Sequence, residues 1–219
     1  MPYYSRHLRR PLFSALRFLS VPLFSVCASA GVLGAYAGSI QGEGLGGAGI
    51  AYPKDSLALA NNPASALFLG GRFDAGVDYF RLDRGAAISG NNFGYNGSFD
   101  ANSRRVFLIP SVGYVTQVSP DLALGIAAYG SGAFSSAYNR TPFTPSHVGA
   151  GGVSFEQLIV APAAAYQIAP DHSIGVSLNL GYQRMSVKGV PYQAYSISPA
   201  NVTNNGADEA FGIGARIGY

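Results

Sequence analysis

Three histidines and one cysteine are all that 219 residues offer for metal or nucleophilic chemistry, and they are scattered. His7, His147 and His172 stand far apart, and Cys27 has no second cysteine with which to form a ligand pair. A zinc site draws three or four such ligands together at short, recurring spacings. No H-E-x-x-H occurs, and no nucleophile stands at a recognisable spacing from a base. Gly42, Gly44 and Gly47 spell G-x-G-x-x-G. A dinucleotide loop needs an apolar strand before that motif and a helix after it. No such strand precedes it, and Pro53 follows where the helix would run. Asp74 and Asp78 share one face of a candidate strand, which is ordinary for residues lining the interior of a barrel. The expectation is therefore no catalytic residue, no cofactor and no metal.

The elements that carry these residues are strands. From Ile174 to Gln183, Ile174, Val176, Leu178, Leu180 and Tyr182 alternate with Gly175, Ser177, Asn179, Gly181 and Gln183. Successive side chains of a strand point to opposite faces, so one face is apolar and the other polar or bare. Ten residues also match the roughly 9–11 that a tilted strand needs to cross a bilayer. Similar patterns are expected at about Arg72–Leu82, Val106–Val118, from Leu122, Val153–Ala169 and Glu209–Tyr219. Ser119-Pro120-Asp121 and Pro170-Asp171-His172 read as tight reversals, because proline presets the turn dihedral. Longer loops are expected at Ser89–Arg105, from Gly130-Ser131-Gly132 to about Gly152, and at Lys188–Gly206. Pro162 weakens the fourth strand as a regular element. Short turns alternating with long loops are the pattern of outer-membrane barrels, with the short turns on the periplasmic side. A soluble β-sandwich would also alternate, but its outer face would carry charge where this chain carries Gly and Ala.

Composition agrees: 48% of residues are hydrophobic and only 11% charged, against roughly 25% charged in an ordinary soluble domain. The N-terminus reads as an export signal, residues 1–37. Arg6, Arg9 and Arg10 precede an apolar stretch from Phe18 to Val26, and A-x-A patterns end at Ala30 and Ala37. Removing it takes four of the fourteen basic residues and leaves ten against eleven acidic ones, a near-neutral chain with nothing basic to hold nucleic acid. Six strands fall below the eight of the smallest single-chain barrels, and an open sheet edge is costly in hydrocarbon. Either the chain is a partial product of a longer gene, which is the expectation, or it closes by assembling with other chains.

Between the signal and the first strand lies a Gly-rich segment, residues 38–71, too small in its side chains to span a membrane. Gly44-Leu-Gly-Gly-Ala-Gly49, Asp55 with Ala58, and Asn62-Pro63-Ala64 occur in it, and Pro110–Tyr114 and Leu122–Gly125 follow in the strands. In these residues the chain resembles the FadL-type family, outer-membrane transporters of long-chain fatty acids and aromatic hydrocarbons. The resemblance implies an all-β fold: a fourteen-stranded transmembrane antiparallel barrel, of which residues 72–219 would supply about six strands, with residues 38–71 as an N-terminal hatch plugging the lumen.

It implies a hatch motif of Gly44, Gly46, Gly47, Asp55, Asn62, Pro63 and Ala64, and a kink in the third strand, for which Gly130 and Gly132 are the candidates. A plain loop entry explains those two glycines equally well. Phe134, Tyr138 and Phe143, expected in the loop after that strand, are candidates for ligand contact or for an aromatic girdle at the membrane interface. Implied partners are a hydrophobic small molecule, outer-membrane lipids and, during insertion, the barrel-assembly machinery. The implied location is the outer membrane of a Gram-negative cell. A general porin or a structural or adhesive barrel is the alternative function.

Overall fold

The computed structural model describes residues 40–44, 52–190 and 203–219. The expected signal, the glycines at 46 and 47 and residues 191–202 of the last long loop lie outside them. Two short helices, α1 (Ile40–Gly44) and α2 (Ala66–Leu69), and two 3-10 turns (Ser56–Ala60, Pro63–Ser65) precede the strands. Eight strands follow: β1 (Arg72–Arg81), β2 (Gly85–Ile88), β3 (Gly97–Asp100), β4 (Val106–Ser119), β5 (Leu122–Tyr138), β6 (Gly151–Ala169), β7 (His172–Lys188) and β8 (Ala207–Gly218). No described helix is long and apolar enough to cross a membrane.

Six of the strands make one sheet, β1-β4-β5-β6-β7-β8, and every neighbouring pair is antiparallel. The register confirms the alternation read in β7. Ile174, Val176, Leu178 and Leu180 lie on an open face, while Gly175 and Ser177 are covered. Phe211, Ile213 and Ile217 of β8 are 76–83% exposed on that same outer face. Large apolar side chains directed outward are unstable in water and suited to lipid. On β6 the outer apolar run goes from Leu158 to Ile168. Ten steps of about 3.3 Å at the usual barrel tilt give a height of about 25 Å, that of a bacterial outer-membrane belt.

The inner face is lined by small residues. Ala123 and Ala127 of β5 and Ala161, Ala163 and Ala165 of β6 are buried there, together with Val115 and Tyr129. What buries them is the segment of the 3-10 turns and α2, whose Leu57, Leu59, Ala60 and Ala66 complete the same core. Leu59 is fully buried. The approach is close enough to require glycine: a Cβ on Gly125 would lie 2.5 Å from Leu59 Cδ1, and one on Gly175 would overlap the backbone of Pro63 and Ala64. Gly113 and Gly218 stand in the same way against Ser56 and Asn62.

Two expectations are corrected. Gly130-Ser131-Gly132 does not end its strand. β5 runs on to Tyr138, because Ser131 is taken up as one extra residue between the rungs Gly130↔Leu158 and Gly132↔Gln157 while β6 continues to pair. Phe134 and Tyr138 are therefore strand residues, and only Phe143 lies in the loop. The Ser89–Arg105 region is also not simply loop, since β2 and β3 pair into a four-rung hairpin across it. Pro162 weakens β6 locally, as expected, without ending it. The pairing with β7 omits the rungs of Ala161 and Pro162 and resumes in the same register, as expected of a missing N–H in an otherwise regular strand.

The glycine-to-backbone contacts carry a direct expectation. Gly175→Ala drives a methyl group into Pro63 and Ala64 and should cost about 1–3 kcal/mol. Gly212→Ala, whose added Cβ meets nothing within 4 Å, should be neutral. The measurements are thermal unfolding of the protein in outer-membrane lipid and the rate of tryptic cleavage after Lys54. Equal behaviour of the two variants would refute the close approach.

Candidate functional site

The covering segment is folded by its own side chains. Asp55 Oδ1 accepts from Leu57 N (3.1 Å) and caps the first 3-10 turn. Asn62 Oδ1 accepts from Ala64 N (3.0 Å) and caps the second, whose first position is Pro63. A cap satisfies an orphan N–H, and proline is favoured at that first position because its φ is already set. The Asp55 and Asn62-Pro63-Ala64 positions thus have a local physical role. Gly44 closes α1.

Polar contacts tie the segment to the sheet. Asp74 Oδ2 on β1 accepts from Ser56 N (2.8 Å) and Ser56 Oγ (2.7 Å), and Arg72 holds the same carboxylate through Nε (2.8 Å) and Nη2 (2.6 Å). Asn62 Nδ2 donates to the Tyr219 carbonyl (3.1 Å), and Gln117 Nε2 donates to the Leu67 carbonyl (3.1 Å). From sequence Asp74 reads as routine interior charge. Its function as an anchor depends on Ser56, eighteen residues earlier, and no local signal reveals that pairing. Asp78 stands on the same face, in register with Ile109.

Beyond the segment, toward the long-loop end, the wall changes. β4 pairs with β5 from Ser119↔Leu122 to Ser111↔Tyr129, and there the ladder stops. The first missing rung is that of Pro110, which has no N–H to donate. Val106–Pro110 pair only with β1 on the other side, while Gly130–Tyr138 pair with β6. Higher still, the segment after β3 reaches β5: Ser103 N donates to the Ala137 carbonyl (3.2 Å), and Ala137 N donates to that of Ala101 (3.3 Å). The interruption is thus bounded below by Tyr129 and above by Ala137. Ile109 projects to Gly130, where a Cβ would lie 2.5 Å from its Cγ2.

The extra residue Ser131 has a second effect. A bulge shifts the strand by one, and one residue exchanges the two faces beyond it. Below it, odd-numbered residues of β5 face inward; above it, Phe134 is paired with Phe155 and Met185, in register with the inward residues of β6 and β7. The Phe134 and Phe155 rings stack at 5.2 Å, and Tyr138 meets Phe143 edge-on at 6.0 Å. Arg216 of β8 shares the inner face with Ser177; its Nη1 is buried and has no hydrogen-bond partner among the described residues. The arrangement offers an aromatic inner wall beside the break in the ladder, with Arg216 lower down, in the row of Gly125, Ala163 and Ser177 that the segment covers.

His172 is bonded through Nδ1 to the Tyr219 hydroxyl at the β6–β7 turn. His147 Nδ1 meets the Thr141 carbonyl at 3.1 Å, and its ring packs on Phe99 at 4.7 Å. No group of three or more His, Cys, Asp or Glu placed to hold a metal occurs among the described residues.

Comparison with known proteins gives three findings. The model of a family described as outer membrane protein transport protein (OMPP1/FadL/TodX) matches residues 21–218. Among solved structures, the Ralstonia pickettii toluene transporter TbuX superposes with a TM-score of 0.57 at 18% identity, over 78% of this chain and 50% of that one. A Pseudomonas aeruginosa FadL homologue gives 0.46 at 14% identity, over 77% and 44%. The chain spans about half the length of these structures. No curated protein matches it.

Two expectations follow from the geometry. The chain contains no tryptophan, so Phe134→Trp is a unique fluorophore. With Ser131 present it should resist quenching by brominated lipid tails, and with Ser131 deleted it should be quenched. Quenching in both, or in neither, would reject the exchange of faces. Asp74→Ala removes both bonds from Ser56 and the pairing with Arg72. It should loosen the segment by about 1–3 kcal/mol, read as faster tryptic cleavage after Lys54 with the sheet still folded.

Proposed function

This chain belongs to the OMPP1/FadL/TodX family of outer membrane transport proteins, and on that footing we propose that it is part of a transporter for hydrophobic compounds, long-chain fatty acids or aromatic hydrocarbons. The family is one of transporters rather than enzymes, and its place is the outer membrane. Residues 1–37 serve as the export signal and 38–71 as the hatch.

The observation that carries this reading is the capped segment seated on a glycine- and alanine-lined inner face, with the interrupted β4–β5 ladder beyond it. An open water-filled pore has little use for a molecule that prefers hydrocarbon. A lumen closed by a hatch, with an aromatic inner wall and an exit through the side of the barrel, suits such a molecule. Phe134 and Tyr138 act as ligand contacts, with Phe143 packed on the latter, and Gly130 and Gly132 flank the bend at the exit. The reading of a general porin or a structural barrel accounts for the outer apolar face but not for a segment docked so closely inside. TbuX is described as a toluene transporter, which keeps aromatic hydrocarbons among the proposed substrates. Arg216 favours an amphiphile that carries a carboxylate.

The test is uptake. A strain deleted for the gene should grow poorly on oleate or on toluene as sole carbon source and recover when the intact gene is restored. Unchanged growth on both would reject transport. Arg216→Gln separates the two substrates: it should lower oleate uptake severalfold and leave toluene uptake unchanged, and equal effects would remove the preference for an acid.

A further inference from the structure

On the outer face, the apolar belt ends at one height on three neighbouring strands. Leu158, Tyr182 and Phe211 form its last row, Tyr182 and Phe211 with ring centroids 5.3 Å apart. The next outward row is Glu156, Arg184 and Glu209, and the row after it begins with Ser154 and Ser186. The strands do not stop there: β6 and β7 are 19 and 17 residues long, well past the length the belt requires. Their long-loop ends therefore stand in the headgroup layer of the outer leaflet.

At that height the wall is hollowed. A concavity of about 380 Å³ is bordered by Arg104, Ser154, Glu156, Arg184, Ser186 and Lys188. Arg104 reaches it from the loop before β4, pairing with Glu156 through Nη2 (2.7 Å) and lying 3.5 Å from Ser154 Oγ through Nη1. Arg184 Nε is 4.0 Å from Glu209. Lys188 has no ion-pair partner among the described residues. These ion pairs are about half exposed, and surface pairs of that kind add little stability, so holding the wall together does not explain the cluster. Glu156 orients the Arg104 guanidinium and Glu209 lies near Arg184 without a hydrogen bond, so both arginines keep donors free for an oxyanion.

We propose that this concavity binds the phosphorylated headgroup of an outer-leaflet glycolipid. Arg104, Arg184 and Lys188 meet phosphate, the hydroxyls of Ser154 and Ser186 meet the sugar, and the acyl chains lie on Leu158, Leu180 and Ile213 directly below. Three cations with hydroxyls between them complement a phosphosugar, and the hollow is continuous with the apolar belt, as a lipid requires and a free ion does not. The site depends on the orientation of the barrel and is independent of transport.

The experiment takes the intact protein from outer membranes and exposes it to bisphosphorylated lipid A, to the same lipid dephosphorylated, and to inorganic phosphate. Retained lipid is counted by native mass spectrometry. The protein should retain the bisphosphorylated form at least about tenfold better than Arg104→Gln/Arg184→Gln/Lys188→Gln does, and Arg184→Lys should keep most of the binding. Equal retention by the triple variant, or equal retention of dephosphorylated lipid, would overturn the proposal. So would inorganic phosphate competing as well as the lipid, which would assign the hollow to a free anion. Should the triple variant fail to insert, modification of Lys188 by an amine reagent decides the matter in the unaltered protein. Bisphosphorylated lipid A should protect it, and an unprotected Lys188 would refute the site.

Discussion

A polypeptide backbone can lie directly on a β-sheet only where the sheet has almost no side chains, and that constraint governs this molecule. Gly113, Gly125, Gly175 and Gly218 remove the Cβ atoms that would collide with Ser56, Leu59, Ala64 and Asn62. Alanines on β5 and β6 fill the rest of the contact. The reduction in inner side chains explains the unusual distribution of bulk, with Phe, Ile, Leu and Val turned outward and, between segment and wall, mainly alanine with Leu57, Leu59, Val115 and Tyr129. A water-soluble sheet would be inside out by this standard. In lipid it is the stable arrangement, since the outer face loses nothing by meeting acyl chains and the inner face gains a tightly packed cover.

The bend in β5 then acts on what the cover leaves open. One extra residue changes which face the aromatic rings of the upper strand address, and the ladder to β4 ends beside it at Pro110. Side-chain direction and wall continuity are altered by the same local event, so neither can be tuned without affecting the other. The stretch from Ala101 to Ser103 reconnects the wall above, which confines the change to a few residues instead of letting the two strands diverge to their ends.

Much of this was legible in the sequence where periodicity is strict. β1, β4, β6 and β8 lie within two residues of the expected bounds, while β7 keeps the expected alternation but runs five residues further, to Lys188, and the tight reversals at Pro120 and Pro170 carry their own chemistry. The upper half of β5 was not legible: a period-two pattern that slips by one at Ser131 looks like an ending, and glycines on both sides strengthen that impression. The β2–β3 hairpin escaped because four residues per strand carry too little pattern in a stretch rich in Asn and Gly. Asp74 could be assigned a face but not a partner. The polar row of Glu156, Arg184 and Glu209 was invisible for a related reason, since it exists only once three strands are set in register.

The caps on the covering segment have a mechanical consequence. Because Asp55 and Asn62 satisfy N–H groups two residues ahead of them, both turns draw these hydrogen bonds from within the segment and not from the sheet. Undocking the segment would break the contacts to the wall and leave those bonds in place. The barrier is set by the contacts that cross to the wall, at Asp74, Gln117 and the Tyr219 carbonyl together with the buried leucines, and the conformational entropy released on departure is small. The local bonds of the turns and the bonds that hold them to the wall are thus separate sets, made by different side chains.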